Sequence, residues 1–162
     1  MVDRDAFANP GSFVGPVVVV RRIASDPEYL FRCFTDEELM SRWLSAPVTI
    51  ELEVGGAYEI LFDETQPPGL QGSEGCQVLT FIPDELLAFT WNAPPSLLEI
   101  RNSLTFVILR FTRVADGTIV TLTHAGHGRG KVWDQNREYF IRAWALLFDA
   151  LESWLEENPT DR

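Results

Sequence analysis

The chain has 162 residues, 46% of them apolar, with 11 Phe, 5 Trp and 3 Tyr. That is enough for one domain with a sizeable core and too apolar for a disordered chain. Thirteen basic against 24 acidic residues leave a net charge of −11, which repels a phosphate backbone or an anionic bilayer, so nucleic acid is not an expected partner.

Residues 1–15 carry Gly, Pro, Asn and Ser without periodicity and read as a flexible N-terminal arm. A single domain is expected over 16–158. Val17 to Ile23 is a β-branched run, hence a first strand. Ser25-Asp26-Pro27-Glu28 is a helix start, since a Pro in the first turn needs no N–H. The helix it opens covers about 27–34. Thr35 with Glu38 three residues on has the form of a capping box, which predicts a second short helix over 36–43.

From residue 47 the apolar period changes from 3.6 to 2. Val48, Ile50, Leu52 and Val54 alternate with polar residues and predict a strand, turned at Gly55-Gly56 into a return strand with Tyr58, Ile60 and Phe62 on one face. Residues 63–73 are rich in Pro and Gly and read as an exposed loop. Strands follow over 74–82 and 86–92, then a loop around Pro94-Pro95, then strands over 103–113 and 118–124. Inward positions in this part are Cys76, then Leu87, Phe89 and Trp91, then Thr105, Val107, Leu109 and Phe111, then Val120, Leu122 and His124. After a Gly-rich link, 133–157 places Phe140, Ile141, Trp144, Leu147, Phe148, Leu151, Trp154 and Leu155 in one arc of a long helix, which Asn158-Pro159 ends. A strand, two short helices, six antiparallel strands and a long helix predict an α+β fold in which a curved seven-stranded sheet grips the C-terminal helix.

Cys33 and Cys76 lie far apart and outside any Cys-x-x-Cys pattern, so buried, reduced thiols are expected. No run approaches the roughly 18 apolar residues of a membrane span, and the first residues lack the order of a signal peptide. A cytoplasmic location without membrane insertion is the expectation.

Asp26-Pro27-Glu28 before an aromatic helix, Thr35-Asp36-Glu37-Glu38-Leu39 with Arg42-Trp43, Gly55-Gly56-Ala57-Tyr58, Phe89-Thr90-Trp91, Gly117-Thr118 through Leu122-Thr123-His124, and Ala143-Trp144 appear in that order. Together they resemble the landmarks of the activator-of-heat-shock-protein-ATPase homologue family, over about 17–157. The resemblance implies a helix-grip fold of the START and Bet v-like (SRPBCC) superfamily, with a mostly apolar cavity for lipids, sterols, polyketides or similar molecules. Co-chaperone members carry a second domain ahead of this one, for which the chain has no room, so ATPase activation is not expected.

Trp43, Tyr58, Phe62, Phe89, Trp91, Val107 and Trp144, with Phe140, face the space between sheet and helix and form either a packed core or a ligand cage. Tyr58, His124 and Arg137 would bring polar groups to that face. Arg137 suits a carboxylate or an enolate oxygen, and His124 a proton shuttle, against structural roles for both. His124 and His127 stand three apart on a Gly-rich loop without a carboxylate or thiol at ligand spacing, so no metal is expected. No nucleophile elbow, phosphate loop or dinucleotide fingerprint is present, and no cofactor is expected.

Three functions are compatible with this reading. The first is non-catalytic binding of a small hydrophobic molecule, and the second a cyclase or dehydratase of the same superfamily. The third is an interaction module, homodimeric or chaperone-linked, acting through acidic Glu51, Glu53 and Glu59 or through the Pro-rich loops.

Overall fold

A computed structural model of the chain describes residues 14–159. The N-terminal arm read over 1–15 therefore lies outside the described residues except for Val14 and Gly15. Strand β1 (Val17–Ile23) is followed by helices α1 (Pro27–Thr35) and α2 (Glu37–Leu44). Strands β2 (Val48–Ile50), β3 (Tyr58–Ile60), β4 (Val78–Ile82), β5 (Leu86–Trp91), β6 (Thr105–Val114) and β7 (Gly117–Ala125) come next, and helix α3 (Lys131–Glu157) closes the chain.

Five strands are paired in the order β1-β7-β6-β5-β4, and β2 pairs with β3, all antiparallel. Bridges at Ala57–Gln77 and Leu61–Gly72, with Tyr58 N donating to the Cys76 carbonyl, join the two parts across the start of β4. The expected seven-strand α+β architecture is present. One contiguous apolar core fills the space among sheet, α1, α2 and α3. Register fixes its membership: Val107 lies opposite both Phe89 and His124, and each has its side chain buried on the inner face.

Local chemistry sets the boundaries. Asp26 accepts from Tyr29 N at 2.8 Å and Pro27 occupies the first turn of α1. The second cap differs from the sequence expectation. Asp36, not Thr35, accepts from Leu39 N at 2.9 Å, while the Thr35 hydroxyl donates back to the Phe31 carbonyl. A carboxylate one residue later displaces the capping box because Thr35 is still inside the last turn of α1.

The strand expected over 48–54 stops at Ile50. Glu53 N and Gly56 N fold back onto the Glu51 and Glu53 carbonyls, leaving Leu52 and Val54 exposed. Gly55 adopts a positive φ of 84°, whereas Gly56 is required for space: a Cβ there would lie 2.2 Å from the Glu51 carbonyl oxygen. The strand expected from 74 becomes regular only at Val78. In α3, Ile141 falls on the exposed side of the apolar arc, and Asn136 is buried in its place. Arg21 of β1 reaches across to α3, bonding Asp149 at 2.8 Å and Glu152 at 2.9 Å with its guanidinium over the Phe148 ring.

Candidate functional site

The sheet and α3 part company where β5 ends. Trp91 is the last inward residue of that strand; the chain then leaves through Asn92-Ala93-Pro94-Pro95, where two prolines cannot donate to a ladder. Beside it on α3 sits Ala143, a small residue among Phe140, Trp144 and Leu147. The result is a cavity of about 710 Å³, within the usual range for a small-molecule site. Leu44, Trp91, Phe140, Ala143, Trp144 and Leu147 form its apolar wall. Its mouth includes exposed Phe62, Tyr139 and Leu146, so it opens to solvent.

The roof consists of segments 62–72 and 92–101, and one side chain clasps them. Arg101 is buried, and its Nε and Nη2 donate to the Gly69 carbonyl at 3.0 and 2.8 Å. Nη2 also reaches the Gly72 carbonyl at 2.8 Å and Glu74 Oε2 at 3.2 Å, while Nη1 donates to the Ala93 carbonyl. The planar guanidinium suits this many-sided task, and Glu74 balances its charge. Asn92, 7% exposed, donates from Nδ2 to the Gly72 carbonyl at 3.0 Å. Its Oδ1 takes no hydrogen bond from the described residues.

Behind the apolar wall lies a buried polar relay. The Thr105 hydroxyl donates to the Trp91 carbonyl at 3.1 Å and stands 2.7 Å from His124 Nε2. Trp144 Nε1 donates to His124 Nδ1 at 3.0 Å. An indole can only donate, so His124 is the neutral Nε2–H tautomer, with that proton on Thr105. Burial, with the neighbouring His127 adding a smaller effect, pushes the His124 pKa down to about 3. His127 Nε2 in turn lies 3.2 Å from the His124 carbonyl, and burial lowers its pKa as well.

The ten residues expected around a ligand divide on this geometry. Phe62, Trp91, Phe140 and Trp144 line the cavity together. Phe62 is half exposed at the mouth rather than inward, because the chain leaves β3 at Ile60. Trp43, Tyr58, Phe89, Val107, His124 and Arg137 do not reach it. Trp43 Nε1 donates to the Cys33 carbonyl at 2.7 Å, and the Tyr58 hydroxyl to the Phe34 carbonyl at 2.8 Å. Phe89 stacks on Tyr58 at 4.2 Å, and Val107 is fully buried beneath β5 and β7. His124 is sealed behind Trp144. Arg137 is half-buried toward His127, its Nε without a hydrogen-bond partner among the described residues. Sequence reasoning missed Arg101, Asn92 and Ala143. The Pro-Pro break marked the neighbourhood of Asn92 and Arg101, and the landmark Ala143-Trp144 that of Ala143, but Arg101 itself lies in a loop without periodicity.

Among the described residues no group of three or more His, Cys, Asp or Glu is placed to hold a metal ion. No helix of the described residues is long and apolar enough to cross a membrane. Residues 24–156 match the family described as activator of Hsp90 ATPase homolog 1-like protein. The chain belongs to that family.

Solved structures share its architecture. Protein MLL2253 from Mesorhizobium loti is 25% identical with a TM-score of 0.69, over 88% of this chain and 97% of that one. CalU16 from Micromonospora echinospora is 20% identical with a TM-score of 0.64, over 85% and 72%. DynU16, from the dynemicin biosynthetic locus, is 16% identical with a TM-score of 0.65, over 92% of this chain and 50% of that one. No curated protein matches the chain. In this member of the Hsp90-ATPase-activator-homologue family, the landmarks Asp26, Trp43, Gly56, Tyr58 and His124 cap, pack and tether the fold. They are the scaffold of the cavity, and its lining lies mostly elsewhere.

Proposed function

We propose that the chain is a binding protein for a small hydrophobic molecule, held between the sheet and α3. The supporting observation is the cavity of about 710 Å³ walled by Trp91, Phe140 and Trp144. Apolar surface removed from water there would contribute about 25 cal/mol per Å², less the costs of association. A lipid, sterol or polyketide-like molecule has the right character for such a wall.

A cyclase or dehydratase needs polar groups converging on a substrate within hydrogen-bond reach. His124 has both ring nitrogens committed and is screened by Trp144, and every nitrogen of Arg101 is engaged by the roof. Both observations favour binding over catalysis. For a chaperone partner the acidic surface offers Glu51 and Glu53, both exposed, while Glu59 holds Gly75 N at 2.8 Å.

Native mass spectrometry of the protein isolated from cells, followed by solvent extraction, tests the reading. A co-purifying apolar molecule lost in Ala143→Trp is the expected result. An empty protein that also shows no thermal shift with sterols, fatty acids or polyketides would sink it.

A further inference from the structure

The charged groups that line the cavity are Asp63 and Arg101. Arg101 cannot serve as a counter-ion for a ligand. Its three nitrogens are spent on the carbonyls of Gly69, Gly72 and Ala93, and Glu74 cancels its charge. Asp63, exposed at the rim, is held in its anionic form by Thr65 and Gln66. A carboxylate or sulfonate entering here would shed its water, meet a carboxylate at the rim and find no uncompensated cation within. For a neutral donor the terms are reversed. Asn92 is 7% exposed and its Nδ2 is fixed by the Gly72 carbonyl, while Oδ1 takes no hydrogen bond from the described residues, which leaves that oxygen open to a ligand's O–H or N–H.

The walls add shape. Trp91 and Trp144 stand 5.2 Å apart, Phe140 stacks on Trp144 at 5.5 Å, and the Trp144 N–H is turned away to His124. Trp144 therefore offers its carbon face, not its polar edge, to the ligand.

We propose that this cavity selects an electrically neutral, flat, largely aromatic or polycyclic molecule carrying a hydrogen-bond donor for Asn92, and excludes organic anions such as fatty acids. The inference rests on the cavity being a binding site and goes further in fixing the charge state and shape of what enters.

Two fluorescent probes share one skeleton: N-phenyl-1-naphthylamine is neutral with one N–H, and 8-anilinonaphthalene-1-sulfonate adds an anionic group. Titration of the full chain should show the neutral probe binding at least about tenfold more tightly. The gap should persist at about 1 M salt, where the Debye length is about 3 Å and the net charge of the protein no longer repels the anion. Glu74→Gln, which keeps an oxygen for Gln71 N while freeing the Arg101 charge, should strengthen sulfonate binding severalfold relative to the neutral probe. Asp63→Asn should act in the same direction. Ala143→Trp should abolish both probes. Equal affinities at high salt, both lost in Ala143→Trp, would overturn the charge selection while leaving the cavity as a binding site. Unchanged sulfonate affinity in both charge variants would also overturn it. If neither probe binds, the binding site and this inference fall together; if only the sulfonate binds, the charge selection is overturned.

Discussion

The indole N–H of Trp144 donates to Nδ1 of His124 across 3.0 Å, joining the wall of the cavity to the inner face of β7. One bond thereby sets the tautomer of the histidine and the pose of the tryptophan. Trp144→Phe keeps an aromatic ring but leaves Nδ1 unpaired in the core. It should cost about 1–3 kcal/mol of stability, read from the urea midpoint. Nitrogen NMR of His124 should show the Nε2–H form in the parent chain; a protonated or Nδ1–H ring would contradict the relay.

Acid should weaken the fold before the carboxylates titrate. His124 holds a folded pKa of about 3 against an ordinary value of 6.5, and His127 is shifted in the same direction. Above 6.5 neither state binds these protons and stability is flat on their account. Below it the unfolded chain takes up protons that the folded one refuses, so stability falls toward pH 3. The slope approaches about 1.4 kcal/mol per pH unit for His124, and His127 adds to it with the same sign. Denaturation between about pH 7 and 5 measures it, and His127→Gln should reduce the slope. Asp63, Asp116 and Glu28, whose bonds hold their carboxyls low, add the same sign only in more acid solution.

Arg101→Lys is not a conservative change here. A single ammonium cannot meet carbonyls on Gly69, Gly72 and Ala93 together with Glu74. The variant should lose about 1–3 kcal/mol for each buried roof carbonyl left unpaired, and bind the neutral probe poorly. A thermal midpoint within a degree or two of the parent would show that the roof does not depend on the clasp.

Two glycines should respond to alanine very differently. At Gly55 the only obstacle is a φ of 84°, with open space around a Cβ, and the cost should be about 1 kcal/mol. At Gly72 a Cβ would lie 1.8 Å from the Ile60 carbonyl oxygen, in backbone that cannot swing aside. Gly72→Ala should break the bridge to Leu61, disturb the Arg101 contacts and fold poorly. Comparable thermal midpoints for the two variants would refute this account.

Periodicity made the scaffold legible. Alternation placed Phe89, Trp91, Val107, Leu122 and His124 on the inner face, and the 3.6 repeat placed Phe140, Trp144 and Phe148 on the helix, as observed. It could not separate core from cavity. The inward parity of Tyr58 or Val107 is the same whether the neighbouring space is packed or open, and that depends on how neighbouring elements diverge. Leu52 and Val54 alternate like strand residues yet lie in a turn, because Gly56 brings the chain against Glu51. Arg101 was beyond reach for another reason. Its partners are main-chain oxygens, which every residue possesses, so no side-chain pattern announces them.

That same trait separates upkeep from choice. A guanidinium that grips peptide oxygens, with the Glu74 carboxylate beside them, is indifferent to most of the other side chains that the gripped segments display. Gln66, Leu70 and Gln71 border the chamber, yet their side chains give Arg101 no hydrogen bond. Gln66 and Gln71 also brace their own loop through Asp63 and the Glu64 and Gln66 carbonyls, so exchanging Leu70 is the change that should redraw what the chamber accepts while its roof stays fastened.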